Sequence, residues 1–174
     1  VVTRRQRQMC IRDRLLGIAM LKDVAWADLG NLGIFGHSYG GYMTLMSLCK
    51  APNVFKAGVA VAPVSDWRLY DSHYTERYMG LPEENAEAYQ QSSVIAHLAE
   101  LSNPLLLMHG MADDNVLFSH STLIMSELQK LGKTFDLMTY PGAKHSMQER
   151  HVSIHRFTTI LEFFTRHLQA GINV

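Results

Sequence analysis

The sequence predicts an α/β fold in which a mostly parallel sheet is covered by helices on both faces. Two observations predict it: short apolar runs alternate with helix-like segments, and each run is apolar at successive positions, as in strands buried on both faces. The composition agrees, because 47% of the 174 residues are apolar and only 18% are charged. A chain of this length and composition forms one domain with a sizeable core.

The elements are assigned from apolar runs, helical periodicity and stop signals. The predicted strands are Leu32–Gly36, Ala57–Ala62, Pro104–His109 and Thr134–Tyr140. The predicted helices are Leu15–Ala27, Tyr39–Lys50, Leu117–Leu131 and about Gln148–Gln169. Residues 63–100 are mixed, rich in Tyr and Trp, and predicted to contain short helical pieces.

Two of the predicted helices carry apolar stripes that we expect to face the core. In the helix Leu117–Leu131 the stripe is Leu117, Ile124, Leu128 and Leu131. In the last helix it is Ile154, Phe157, Leu161, Phe164 and Leu168.

Residues 1–14 are interpreted as a non-native segment and excluded from the fold prediction. The stretch RQRQMCIRDR resembles translated read-through of a sequencing adaptor. A basic arm for nucleic acid or anionic lipid is the alternative, but aromatic and amphipathic features are missing. We therefore expect residues 15–174 to be the C-terminal part of a longer chain.

The overall composition argues against several classes of protein. Sixteen basic residues balance sixteen acidic ones, so the strong positive charge of a nucleic-acid-binding protein is missing. No apolar run is long enough to predict a membrane span. Two cysteines, Cys10 and Cys49, do not make a disulfide framework, which fits a bacterial or cytosolic setting. Neither a cofactor nor a metal is expected.

The sequence Gly36-His37-Ser38-Tyr39-Gly40 lies directly between a predicted strand and a predicted helix. A G-x-S-x-G motif in that context is typical of a nucleophile elbow, a tight turn that presents the serine at the edge of the sheet. We expect Gly36 and Gly40 to provide the room that the turn needs. The backbone amide of Tyr39 is then expected to point to where an oxyanion would form.

A serine nucleophile needs a histidine base, and the base needs a carboxylate, in the chain order Ser, acid, His. Asp113 and Asp114 follow the third predicted strand, and their spacing does not separate them. His145 lies just after the fourth strand, where the base is expected. His120 lies within a helix and is the weaker candidate.

His151 and His155 are four residues apart on the last predicted helix, a spacing that can hold zinc. The third ligand and the glutamate of the H-E-x-x-H motif are missing, so we interpret this pair as a solvated helix face. His37, His73, His97 and His109 precede the acid, which breaks the expected order.

The segments GHSYGGYM, VAPVSDWRLYDSHYTERYMG and HGMADDNV, followed by His145, resemble the catalytic domain of the prolyl oligopeptidase family, in particular its dipeptidyl peptidase IV branch. The resemblance covers about residues 15–170. It implies an α/β-hydrolase fold, here partial, that follows a large β-propeller. It also implies a peptide substrate from which N-terminal dipeptides ending in proline or alanine are released.

Residue by residue, the resemblance implies Ser38 as nucleophile and His145 as general base. In the family pattern H-G-x-x-D-x-x-V the acid is the first aspartate, which favours Asp113, and Tyr39 supplies an oxyanion amide. Asn115 is implied as a donor to the substrate carbonyl. The implied apolar pocket for the proline ring consists of Val64, Trp67, Tyr70, Tyr74 and Val116.

Other functions stay open at this point. An acylaminoacyl peptidase or a carboxylesterase has the same fold, and a docking domain without activity is a third hypothesis. The resemblance places a second oxyanion donor and the amine-binding glutamates upstream of this sequence. It also implies a homodimer of the full-length parent, and a periplasmic or cytoplasmic location in a bacterium.

Overall fold

A computed structural model describes residue 13 and residues 15–168 of the chain. Its four strands are all parallel and follow one another across the sheet in chain order. Val59 on the second strand lies opposite Phe35 on the first and Leu106 on the third. The strands are β1 Gly33–His37, β2 Ala57–Val61, β3 Leu105–Gly110 and β4 Asp136–Tyr140, each within two residues of the predicted bounds.

Helices connect and follow these strands. The α-helices are α1 Tyr39–Lys50, α2 Ser72–Met79, α3 Ala86–Ser92, α4 Ser119–Lys130 and α5 Arg150–Leu168. Short 3-10 helices lie at Leu21–Asp23, Trp67–Leu69 and Ile95–Glu100.

The predicted helix Leu15–Ala27 is wrong in its second half. Residues 15–20 are helical, but the chain then forms the 3-10 turn Leu21–Asp23 and is extended at Val24. Met20 and Trp26 are 79% and 84% exposed, and Ile18 packs only partly buried against the core, so little of an apolar face is buried here. A helix of this length depends on burial of one face for its stability, and without it the helix stops early.

The core has two layers, one on each face of the sheet. On one face α1, α4 and the 3-10 helix Ile95–Glu100 pack over the strands, and on the other face α5 does. β2 is buried at all five positions because both of its faces are covered. The first layer includes Leu45, Leu48, Leu98, Leu107, Ile124 and Leu128, and the second includes Val59, Met108, Val152, Ile160 and Phe163. The prediction of a parallel sheet with helices on both faces is confirmed.

The stripe predicted for the last helix is largely wrong. Ile154, Phe157 and Leu161 are 58%, 48% and 67% exposed, whereas Phe164 and Leu168 pack at the margin of the core. The side chains that α5 buries are Val152, Ile160 and Phe163. Helical spacing identifies an apolar stripe, but it does not show which of two stripes faces the sheet.

The stripe predicted for Leu117–Leu131 is confirmed in its centre, where Ile124 and Leu128 are fully buried in α4. Leu117 and Leu131 lie just outside the helix, and they are 52% and 39% exposed. The helix is thus shorter than predicted at both ends, and its flanking residues leave the buried face.

The segment between β2 and β3 is fixed by carboxylates. Asp66 accepts hydrogen bonds from the backbone nitrogen of Arg68 and from its guanidinium, at 2.9 Å, 2.9 Å and 2.6 Å. Asp71 caps α2 by accepting from the backbone nitrogen of Tyr74 at 2.8 Å. These bonds hold the aromatic side chains of this segment near the carboxyl ends of the strands.

Over residues 13 and 15–168, we find no helix that is both long and apolar enough to cross a membrane.

Candidate active site

Ser38 lies at a sharp turn between β1 and α1. Its backbone has φ 59° and ψ −118°, a conformation that costs free energy for a residue with a side chain. The turn is held by two backbone hydrogen bonds, from Ser38 N to Val61 O at 2.8 Å and from Tyr42 N to Ser38 O at 3.0 Å. The strand-to-helix turn predicted from the G-x-S-x-G motif is therefore present.

Gly36 and Gly41 make room for this turn, whereas the motif suggests Gly36 and Gly40. A Cβ on Gly36 would lie 2.1 Å from the carbonyl oxygen of Gly40, which no backbone tolerates. A Cβ on Gly41 would lie 2.7 Å from Val61 O. At Gly40 a Cβ would meet nothing within 4 Å beyond its own helix backbone and chain neighbours. The expectation of crowding is confirmed for Gly36 and wrong for Gly40.

The loops after β3 and β4 pack against each other and bring their side chains to Ser38. The backbone nitrogens of Met111 and Ala112 donate to Tyr140 O and Ala143 O at 2.9 Å and 3.1 Å. His145 Nε2 then lies 3.0 Å from Ser38 Oγ, and His145 Nδ1 lies 2.8 Å from Asp113 Oδ2. The three residues form one hydrogen-bonded chain.

The carboxylate of Asp113 is fully buried and receives four N–H donors. Oδ1 accepts from the backbone nitrogens of Asn115 and Val116, both at 3.0 Å. Oδ2 accepts from His145 Nδ1 at 2.8 Å and from His109 Nε2 at 3.1 Å. Four donors match the four lone-pair sites of a carboxylate, so the buried negative charge is stabilised.

Asp114 takes no part in the hydrogen-bonded series Ser38–His145–Asp113. Its side chain is 59% exposed and pairs with Lys144 Nζ at 2.8 Å. That pairing lowers the pKa of Asp114 and raises the pKa of Lys144. The geometry therefore separates the two aspartates that the spacing left open.

Two histidines contact the hydrogen-bonded series Ser38–His145–Asp113, and neither was identified from the sequence as part of the site. His37 donates from Nε2 to the backbone oxygen of His145 at 2.9 Å, and the two rings lie 4.9 Å apart. His109, at the end of β3, contacts Asp113 directly. No sequence signal marks either contact, because each depends on how the loops after β3 and β4 fold back over the sheet.

The other histidine candidates lie elsewhere. His120 is buried, and its Nδ1 accepts from the backbone nitrogen of Ser65 at 3.1 Å. The His151 side chain is 80% exposed, and His155 Nδ1 lies 3.2 Å from the hydroxyl of Tyr140. Within the described part of the chain, no group of three or more His, Cys, Asp or Glu side chains is arranged to hold a metal ion.

The aromatic residues predicted to line a pocket cluster around Trp67. The Trp67 ring lies 5.8 Å from that of Tyr70 and 6.2 Å from that of Tyr74, centre to centre. The hydroxyl of Tyr70 donates to Asn115 Oδ1 at 2.7 Å, so the Asn115 amide group is oriented with its NH2 end as the donor. Val64, Trp67 and Val116 are buried in one apolar cluster, with Tyr70 packed against it.

Tyr39 connects this pocket to the elbow. It is the first residue of α1, directly after Ser38, and its ring lies 6.0 Å from that of Trp67. Its backbone nitrogen is thus at the positive end of the helix, where a developing negative charge is stabilised.

We expect acid to destabilise the fold through three imidazoles. Burial lowers the pKa of His37, His109 and His120 below the ordinary value of 6.5. Below about pH 6.5 the unfolded chain therefore takes up protons that the folded chain does not, and the free energy of unfolding falls as the pH falls. His109 and His120 are both buried. Below pH 6.5 each of them lowers the free energy of unfolding by about 1.4 kcal/mol per pH unit, until the pH reaches its lowered pKa.

Urea unfolding at pH 7.5, 6.5 and 5.5 measures this loss in the full-length protein. The midpoint should fall between pH 6.5 and 5.5 and stay nearly constant above pH 6.5. His120→Asn should make the urea midpoint depend less on pH, whereas His151→Gln, at an exposed site, should leave the pH dependence of the midpoint unchanged. Equal midpoints at pH 7.5 and 5.5 would contradict the prediction.

Comparison with known proteins identifies the family. A profile of the prolyl oligopeptidase family matches residues 1–171. Dipeptidyl peptidase 8 of Mus musculus is 37% identical over 169 residues, which are 95% of this chain and 19% of that protein. Inactive dipeptidyl peptidase 10 of Rattus norvegicus is 36% identical over 174 residues, which are 99% of this chain and 22% of that protein.

Solved structures agree with the sequence relatives. The crystal structure of dipeptidyl peptidase 4 from Porphyromonas gingivalis matches with a TM-score of 0.86 and 40% identity, over 91% of this chain and 22% of that one. The match confirms the predicted α/β-hydrolase fold class. This chain thus spans about one fifth of the length of its relatives. The chain therefore belongs to the prolyl oligopeptidase family.

Proposed function

We propose that the full-length protein is a serine peptidase that releases N-terminal Xaa-Pro or Xaa-Ala dipeptides through an acyl-enzyme. The observation that carries the proposal is the hydrogen-bonded chain from Ser38 Oγ through His145 to Asp113 Oδ2, with spacings of 3.0 Å and 2.8 Å. Nucleophile, base and carboxylate within hydrogen-bond reach are what acyl transfer by serine requires. Relatives whose names include dipeptidyl peptidase support the substrate class.

In the acylation step, Ser38 Oγ attacks the carbonyl carbon of the scissile bond while His145 Nε2 takes its proton. The carbonyl oxygen becomes an oxyanion, and the Tyr39 amide is placed to donate to it. The C–N bond then breaks, and His145 returns the proton to the leaving amine. Asp113 accepts from Nδ1 throughout, which keeps the imidazole oriented and stabilises its positive charge.

Deacylation repeats these steps with water. His145 Nε2 takes a proton from the water as its oxygen attacks the ester carbon. The bond to Ser38 Oγ breaks, and the serine recovers its proton from His145. The dipeptide leaves with a free carboxylate.

The pocket beside Ser38 suits a flat apolar ring. Trp67, Tyr70 and Tyr74 provide aromatic faces, and Val64 and Val116 are buried beneath them. Such a lining favours a pyrrolidine ring or a methyl group and disfavours charged side chains. Because Asn115 Oδ1 is engaged by Tyr70, its NH2 group is left to donate to the substrate carbonyl.

A docking domain without catalysis is the second candidate. A relative that is 36% identical over 174 residues carries the word inactive in its name, so the family fold does not guarantee turnover. The hydrogen bonds that join Ser38, His145 and Asp113 favour the peptidase over this candidate. An acylaminoacyl peptidase or a carboxylesterase shares the triad, and only the substrate distinguishes them.

Two measurements on the full-length protein test the proposal. A fluorophosphonate probe should label it, and mass spectrometry should locate the label on Ser38, with the exposed Ser146 as internal control. Glycyl-prolyl-p-nitroanilide should be hydrolysed at least about 100-fold faster than its N-acetylated form, because acetylation removes the charged amine that a dipeptidyl peptidase binds.

The other candidates predict different results. A docking domain would not be labelled at Ser38. An acylaminoacyl peptidase would prefer the N-acetylated substrate, and a carboxylesterase would hydrolyse p-nitrophenyl acetate but neither anilide. Any of these outcomes would exclude the dipeptidyl peptidase.

A further inference from the structure

His109 is a buried titratable residue that the mechanism above does not use. Its side chain has no exposed surface, and both of its ring nitrogens are engaged. Nε2 contacts Asp113 Oδ2 at 3.1 Å and Val116 O at 2.8 Å, while Nδ1 lies 2.7 Å from Ser121 Oγ. The ring thus lies directly behind the carboxylate that contacts His145.

The partners of His109 determine where its proton lies. Nε2 faces a carboxylate oxygen and a carbonyl oxygen, neither of which can donate, so Nε2 carries the hydrogen. Nδ1 then accepts from the hydroxyl of Ser121. Burial also lowers the pKa of His109, which agrees with a neutral ring.

We propose that His109 is a positioning residue that holds Asp113 in place for His145, through its Nε2–H donated to both ends of the turn from Asp113 to Val116. This inference rests on the proposed function. Within the same turn, Val116 N donates to Asp113 Oδ1 at 3.0 Å, so His109 completes a closed set of hydrogen bonds. With three donors fixing the carboxylate, Oδ2 stays aligned with His145 Nδ1.

The expected consequence lies in the chemical step. Positive charge develops on His145 in the transition state, and its stabilisation depends on the position of Oδ2. Without His109, two donors remain on Oδ1 and only His145 on Oδ2, so the carboxylate is free to rotate. A hydrogen bond to a charged group contributes about 1.5–3 kcal/mol, which corresponds to a factor of about 10–100 in rate.

Two near-isosteric variants of the full-length enzyme test the proposal. Glutamine places its amide N–H where imidazole Nε2 lies, whereas asparagine reaches only the position of Nδ1. We expect His109→Asn to lower kcat about 10–100-fold with KM changed less than twofold. His109→Gln should retain kcat within about fivefold of the wild type.

Leu128→Ala is the control for a general loss of stability. It opens a cavity beside α4, away from Asp113, and is expected to lower Tm at least as much as His109→Asn does. At 15 °C below its Tm this variant should keep its kcat. If it loses as much kcat as His109→Asn, or if His109→Gln loses as much as His109→Asn, His109 has only a structural role and the proposal is overturned.

An unchanged kcat in His109→Asn also overturns the proposal. Should His109→Asn not fold, Ser121→Ala provides a second test, because it removes the hydroxyl that holds the His109 ring at Nδ1 and so lets Nε2–H move away from Asp113 Oδ2. We then expect kcat to fall about 3–10-fold, and an unchanged kcat overturns the proposal. Failure of the proposed function is recognised separately, since the wild-type protein would then show neither labelling nor dipeptide release.

Discussion

Replacing Asp113 by asparagine should lower kcat by about four orders of magnitude, with KM nearly unchanged. Asp113 accepts from four N–H groups, but an asparagine side chain has only one acceptor oxygen. If that oxygen takes the two backbone donors, the NH2 group faces His145 Nδ1. The imidazole must then carry its proton on Nε2, where it blocks proton transfer from Ser38. Steady-state kinetics of the full-length enzyme on an Xaa-Pro anilide measure the effect.

Asp114→Asn is the matched control, because it makes the same chemical change one residue along the chain. Asp114 is exposed and pairs with the exposed Lys144, and exposed ion pairs contribute about 0–1 kcal/mol to stability. We expect its kcat to stay within twofold of the wild type. Equal losses in the two variants would mean that the loop, and not the carboxylate of Asp113, determines the rate.

Gly36→Ala should abolish activity and lower the free energy of unfolding by about 3 kcal/mol or more. Its new Cβ would lie 2.1 Å from the Gly40 carbonyl oxygen and 2.2 Å from the carbonyl carbon. Both atoms belong to the backbone, so β1 and the start of α1 have to move apart. Ser38 Oγ then leaves the 3.0 Å contact with His145 Nε2. Urea unfolding and fluorophosphonate labelling measure the two effects.

Gly40→Ala makes the same change four residues later and should not lower the stability. A Cβ at Gly40 meets no neighbouring element, and alanine in a helix is about 0.5–1 kcal/mol more favourable than glycine. The free energy of unfolding should therefore stay the same or rise slightly. A loss at Gly40 as large as that at Gly36 would contradict the steric argument.

Periodicity and turn motifs were enough to predict the sheet, the turn at Ser38 and the loop that carries His145, whereas the choice of Asp113 over Asp114 came from the family resemblance. β2 is recognisable because all five residues are apolar, and Ser38 because glycines flank it between a strand and a helix. The chain order of nucleophile, acid and base, together with the position just after the fourth strand, favours His145 as the base. These features are local, or they follow from strands that run parallel.

Features that depend on tertiary packing were not predictable in the same way. The exposed stripe at Ile154, Phe157 and Leu161 has the same spacing as a buried one, and only the contact with the sheet distinguishes them. His109 was correctly set aside as the base by its position before the acid, but its contact with Asp113 depends on a tight turn. His37 contacts a backbone oxygen 108 residues away, which no local pattern reveals.

The order of the strands has a consequence for the folding of the protein. Ser38 and His145 are 107 residues apart, and each follows a different parallel strand at opposite edges of the four-stranded sheet. Contacts between distant residues form slowly, because long loops must close before the contact contributes any stability. A chain with only β1 to β3 in place would have its serine in the turn but no base beside it. A reactive serine therefore requires β4 and the loop that carries His145, so labelling of Ser38 reports on the folding of the whole four-stranded sheet.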